Sequence, residues 1–131
     1  VGGGKPLPAD VRARLIPTLR NHPTTSILLA FHGEEPVGLC TGFFGLSSFR
    51  ALPVLNIHDL AVVPAWRGRG VGRRLLQEAE QTARARGCCR LTLEVEDDNT
   101  RARHLYQQFG FRDVQYGGAG PTRFLAKPLD Q

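Results

Sequence analysis

The sequence predicts a single α/β domain built on a mixed sheet. Three observations carry that expectation. An apolar strand-like run, Pro53 to Val63, leads through a glycine- and arginine-rich junction into an amphipathic helix beginning at Val71. An alternating strand follows, "CRLTLEV" from Cys89 to Val95, so that strand, helix and strand form a crossover that makes a parallel pair. The remaining strand-like runs are joined by short turns and are expected to be antiparallel.

Taken in order, "PADVRARLIPTLRNHP" sets Leu7, Val11, Leu15 and Leu19 at helical spacing, with Asp10 in the first turn. Pro17 and Pro23 are expected to keep this helix short. "SILLAFH" (Ser26 to His32) reads as a strand, "GEEPVG" as a turn, and "VGLCTGFFGLSSF" as a second strand. Pro53 to Val63 is the third. From Val71, apolar Leu75, Leu76, Ala79 and Ala83 oppose Arg73, Arg74, Gln77, Glu80 and Arg84, and Gly87 is the natural stop. "NTRARHLYQQFG" is a short helix with Asn99 as N-cap and Gly110 as its end. "FRDVQYGG" and "TRFLAKPL" close the chain as a hairpin.

With 131 residues, 41% of them apolar and 22% charged, the chain can bury a core without staples. No apolar run approaches the ~18 residues of a membrane span, and no signal peptide is recognisable. Cys40, Cys88 and Cys89 are odd in number and lack metal spacing; they read as small buried hydrophobes of a reducing compartment, the cytoplasm by default. His22, His32 and His104 share no spacing that suggests a metal. The net charge of +5 permits an acidic partner. Fifteen of the seventeen basic residues are arginines, however, and the densest group, Arg67, Arg69, Arg73 and Arg74, lies on the glycine junction without interleaved aromatics. A compact polyanion fits that better than a nucleic acid.

The junction, "HDLAVVPAWRGRGVGRRLLQEAEQ", is where chemistry concentrates. A helix N-terminus leaves backbone N–H groups unpaired and carries about half a positive charge. Glycines let those groups converge on an anion, and arginines add bidentate donors. The alternative is a loop that merely turns the chain. Neither nucleotide loop fits. A P-loop needs a Gly-Lys-Ser/Thr end that is lacking, and the dinucleotide fingerprint meets Arg73 or Leu75 where it requires glycine.

What fits is R/Q-x-x-G-x-G/A, at Arg67, Gly70 and Gly72. Downstream, "NTRARHLYQQFGF" matches N-x-x-A-x-x-L-Y-x-x-x-G-F at Asn99, Ala102, Leu105, Tyr106, Gly110 and Phe111. In these two motifs, spanning about Asn56 to Phe111, the sequence resembles the GCN5-related N-acetyltransferases (GNAT). The resemblance implies one N-acetyltransferase domain over residues 1–131, with a central, mostly antiparallel sheet and one parallel β-α-β unit. The strand and helix that relatives place before "PADVRARL" are short or absent, and the chain lacks an initiating methionine, so N-terminal elements are expected to be missing.

The resemblance implies acetyl-CoA as co-substrate and no metal. Its pyrophosphate would lie on the backbone of Arg67, Gly68, Arg69, Gly70, Val71 and Gly72. Its pantetheine would pair like an added strand with Leu60, Ala61 and Val62, one of whose N–H groups is the oxyanion donor. Asn99 would contact the pantetheine, act as a simple N-cap, or both. Tyr106 matches the tyrosine that protonates the leaving thiolate; Phe109 and Phe111 are packing residues.

The acceptor amine must also lose a proton, its pKa being near ~10.4 if lysine-like. His58, two residues before Leu60, is a candidate base or else a hydrogen-bonded interior histidine. Asp59 should face the other way, because strand neighbours alternate. Glu94 and Glu96 are further candidates, or binders of a cationic acceptor; with Asp97 and Asp98 they also read as a solvated turn.

The acceptor is a small-molecule amine or a protein amino group. No nucleic acid or membrane is expected as partner, and a homodimer is compatible with the resemblance. Two rival readings are an acyl-CoA-binding module or sensor without turnover, and a nucleic-acid-binding protein motivated by the charge.

Overall fold

The computed structural model describes residues 9–21, 24–114 and 121–129. Leu7, His22, Pro23 and the turn expected between the last two strands lie outside them. The elements run α1 (Ala9–Asn21), β1 (Thr25–His32), β2 (Glu35–Ser47), β3 (Leu52–Val62), a 3-10 turn (Pro64–Trp66), α2 (Val71–Ala85), β4 (Arg90–Glu96), α3 (Thr100–Phe109), β5 (Arg112–Asp113) and β6 (Thr122–Pro128). The six strands form one sheet in the order β1-β2-β3-β4-β6-β5. Only β3 and β4 are parallel; the other pairs are antiparallel. This is the mixed sheet, with its single β-α-β unit, that the sequence predicts.

Two local expectations are corrected. Pro17 does not end α1, which continues for four residues beyond it. A proline within a helix removes one backbone hydrogen bond; residues 13 and 17 are both exposed, so water can replace the bond. "GEEPVG" is not all turn. Only Gly33 and Glu34 turn, with Gly33 at φ 62°, and β2 begins at Glu35.

The core lies between the sheet and helices α2 and α3. Leu75, Leu76, Ala79 and Ala83 of α2 are buried against Cys40, Leu55, Ile57, Leu91 and Leu93. Burying each of those leucines is worth roughly 1.5–3 kcal/mol. All three cysteines are buried and none forms a disulfide. Tyr106, Phe109 and Phe111 complete the same cluster from the α3 side.

The end of α3 explains the Gly-Phe of the second motif. Gly110 takes the left-handed conformation at φ 108°, which a side chain would strain. Its N–H donates to the Gln107 carbonyl and that of Phe111 donates to the Tyr106 carbonyl, at 3.1 and 2.9 Å. This Schellman closure commonly brings an apolar contact with it. Here the Phe111 ring meets the Tyr106 ring edge-on, at 5.8 Å between centroids. Tyr106 is thus held by both its backbone and its ring.

Candidate functional site

The β-sheet opens where the site begins. Strands β3 and β4 pair only from Leu55–Leu91 to Ile57–Leu93. Beyond Ile57, β3 keeps its antiparallel partner β2 but has no partner on the other side among the described residues. Val63 N–H bonds the Val37 carbonyl at 2.9 Å, which fixes the alternation of the antiparallel pair. Residues 59, 61 and 63 therefore exchange bonds with β2. Leu60 and Val62 turn their N–H and C=O groups to the open edge. Of the three residues expected to pair with an extended ligand, these two offer backbone groups to it; Ala61 lines the opening without doing so.

A β-bulge precedes this edge. Thr41 pairs with Asp59 and Gly42 with Ile57, so His58 is an extra residue on β3. The bulge breaks the alternation expected between His58 and Asp59. The His58 ring lies edge-on to Phe43 at 5.6 Å, while the Asp59 carboxylate accepts the Thr41 hydroxyl at 2.8 Å. Thr41 and Phe43, two apart on β2, share one face, so His58 and Asp59 turn the same way. His58 is exposed, which excludes the interior-histidine reading, and it lies outside the cleft described next.

After β3 the chain makes its 3-10 turn, with Pro64 in the first position and Arg67 N–H on the Pro64 carbonyl. Gly68 and Gly70 then take φ 74° and 85°, and nothing lies within 4 Å of where their Cβ atoms would stand. At both positions the positive φ is what favours glycine, and no part of the described protein stands against them. Gly72 is the reverse case: its Cβ would meet Leu105 Cδ2 at 3.3 Å, so it sets the spacing of α2 against α3.

Helix α2 has no side-chain cap, and its first intrahelical bond runs from Arg74 N–H to the Gly70 carbonyl. The N–H groups of Val71, Gly72 and Arg73 are left for an anion. Arg67 reaches back to the Val62 carbonyl at 3.3 Å, and Arg69 lies over the Trp66 ring at 4.9 Å.

These parts surround one cleft of ≈ 730 Å³. Leu60, Ala61, Val62, Arg67, Gly68, Gly70, Val71, Gly72, Asn99 and Tyr106 all line it; His58 and Arg69 do not. Asp59, Trp66, Arg73, Arg101 and His104 line it too and were not among the expected site residues. The cleft passes through the splay, since it is bounded by residues of both sheet faces, Leu60 and Val62 on one and Asp59 and Ala61 on the other.

Asn99 is the N-cap of α3, its side chain accepting the Ala102 N–H at 3.2 Å. The carboxylates after β4 are partly spoken for. Glu94 accepts the Asn56 amide at 3.4 Å and Glu96 the Thr122 hydroxyl at 3.3 Å. Asp97 pairs with Arg123, whose guanidinium holds that carboxyl below its usual range.

Tyr106 is 5% exposed. Burial, and to a lesser degree the Cys40 thiol, push its phenol up to about 12. Cys40 is itself pushed up to about 12 by burial and then by the Asp59 carboxylate. Both groups hold their protons throughout the neutral range. The site therefore presents a neutral phenol, an open strand edge and unpaired helix amides within one cavity.

The cleft thus joins an open strand edge to the uncapped start of a helix. The sequence profile of the acetyltransferase (GNAT) family matches residues 4–111, and the chain belongs to that family. The match reaches well ahead of the two motifs that carry the resemblance. The uncharacterized N-acetyltransferase YhfO of Bacillus subtilis (strain 168) is 37% identical over 95 residues, covering 72% of this chain and 63% of that protein. The N-alpha-acetyltransferase RimI of Mycobacterium tuberculosis is 34% identical over 114 residues, covering 86% and 65%. The chain thus spans just under two thirds of both relatives. Among solved structures, an acetyltransferase from Thermus thermophilus superposes with a TM-score of 0.78 at 30% identity, covering 96% of this chain and 79% of that one.

Proposed function

We propose that the protein transfers the acetyl group of acetyl-CoA directly to a primary amine. The observation that carries this reading is the meeting of Tyr106, the open edge of β3 and the uncapped start of α2 in one cleft. The residues fit the co-substrate. The amides of Val71, Gly72 and Arg73 suit a pyrophosphate, and Leu60 and Val62 suit the amide groups of a pantetheine arm.

Bound there, acetyl-CoA supplies an acyl group already activated as a thioester. The acceptor reacts as the free amine, its ammonium proton passing to solvent, and the chain supplies donors for the acyl oxygen and for the departing sulfur. The Leu60 N–H is the donor placed to meet negative charge building on the acyl oxygen. Tyr106, protonated up to about 12, donates a hydrogen bond to the departing sulfur. Asp59 and Ala61 open the cleft to the second face of the sheet, which gives the amine a route that does not cross the co-substrate.

The test is release of free CoA thiol from acetyl-CoA in the presence of amines: polyamines, amino acids, aminoglycosides and peptides with free amino groups. Amine-dependent release, lowered at least about 100-fold by Tyr106→Phe, is expected of general-acid assistance. CoA binding without release from any of these would favour the non-catalytic module instead.

A further inference from the structure

The arginines of α2, α3 and the junction before α2 divide into two groups. Arg74, Arg84 and Arg103 each pair with a carboxylate, on Glu78, Glu80 and Asp97. Arg67, Arg73 and Arg101, which line the cleft, have no such partner among the described residues. Cations left unpaired around a concave surface await an anion from outside.

The two walls of the cleft meet anions by different means. On the α2 wall, backbone amides stand free at an uncapped helix start. On the α3 wall the helix start is largely satisfied from within, because Asn99 takes the Ala102 N–H and the Asp98 carbonyl the Thr100 N–H. An anion against α3 is therefore met chiefly by side chains. Arg101, His104 and Gln108 stand at i, i+3 and i+7, along one stripe of that helix, and all three line the cleft.

We infer that this stripe is a second anion subsite, built on Arg101 and His104, which reads the 3′-phosphate of coenzyme A separately from its pyrophosphate. The inference rests on the proposed co-substrate. A phosphomonoester carries about −1.5 to −2 charges at neutral pH, whereas the pyrophosphate already has the α2 amides. A guanidinium meets such a group through two parallel hydrogen bonds, and an imidazole adds a third donor. Recognition of this kind separates coenzyme A from 3′-dephospho-coenzyme A, which shares every other group.

Calorimetric titration of the protein with these two ligands tests the subsite without any acceptor. The wild-type chain is expected to bind coenzyme A at least about tenfold more tightly, a difference of about 1.4 kcal/mol. Arg101→Gln is expected to bring the two affinities together by weakening coenzyme A alone. Arg112→Gln, which removes an equal charge from the exposed strand β5, is expected to leave their ratio unchanged. Equal affinities in the wild type, or a preference that survives Arg101→Gln, would overturn the subsite while leaving the co-substrate reading intact. Failure of both ligands to bind would overturn that reading, and the subsite with it.

Discussion

Thr41 on β2 donates its hydroxyl to the Asp59 carboxylate on β3 at 2.8 Å, beside the point where His58 bulges out of the pairing. The bulge and this bond together fix how β3 enters the cleft. The extra residue turns Asp59 to the face opposite the α2–α3 core and returns Leu60 to the core face, where it packs. Backbone groups of Leu60 and Val62 then open toward the gap beside β4.

A hydrogen bond to a charged acceptor contributes about 1.5–3 kcal/mol, and less where the acceptor is half-exposed as Asp59 is. Thr41→Val is therefore expected to lower the unfolding free energy by about 1–2 kcal/mol, and Thr41→Ser by less. Urea unfolding of the two variants checks this.

Gly72 keeps α2 and α3 at their separation. A methyl group there would lie 3.3 Å from Leu105 Cδ2, the end of a flexible side chain that can shift by a few tenths of an ångström. Gly72→Ala is expected to be folded with a modest loss of thermal stability. Gly72→Val adds two more carbons at the same point and is expected to cost about 1–3 kcal/mol by overpacking. Because both partners line the cleft, the valine variant should also bind coenzyme A more weakly.

Gly70 fails for a different reason. Space is open around it, but its φ of 85° costs a β-branched residue about 1–2 kcal/mol or more. Gly70→Asn should retain most coenzyme A affinity, since asparagine tolerates this conformation. Gly70→Val should abolish it while the circular dichroism of the fold persists. A clash-driven site would instead reject both.

Burial of Tyr106 and Cys40 has a consequence at high pH. Each holds its proton up to about 12, above the ordinary 10.0 and 9.0. A group that binds its proton more tightly when folded stabilises the fold fully below its unfolded pKa. That contribution is lost as pH rises toward the folded value. Stability is thus expected to fall between about pH 9 and 12, and Cys40→Ala is expected to flatten the lower part of that decline. Thermal unfolding across this range measures both.

Much of the site was legible because its motifs are local. The Arg67–Gly72 spelling describes the start of one helix and the Asn99–Phe111 spelling both ends of another, and helix ends are fixed by residues a few positions apart. The strand parity at His58 was missed although a trace of it is present. Apolar Leu55 and Ile57 are followed by Leu60 and Val62, a slip of one in a period of two, which is what a bulge produces.

Trp66, Arg101 and His104 were not legible. Their place in the cleft depends on how far β3 and β4 diverge and on the packing of α3 over α2 through Gly72. No spacing along the chain encodes those distances. Pro17 misled for a similar reason, since its cost depends on whether the freed carbonyl is exposed.

The central claim is that the cleft is a coenzyme A site, and thermal unfolding with added ligand tests it most directly. A ligand at 100 times its dissociation constant stabilises by about 2.7 kcal/mol, which raises the midpoint of a domain this size by several degrees. Acetyl-CoA and free CoA are each predicted to produce that rise, and ATP to produce little. No rise with either form of the coenzyme, or an equal rise with ATP, would contradict the account.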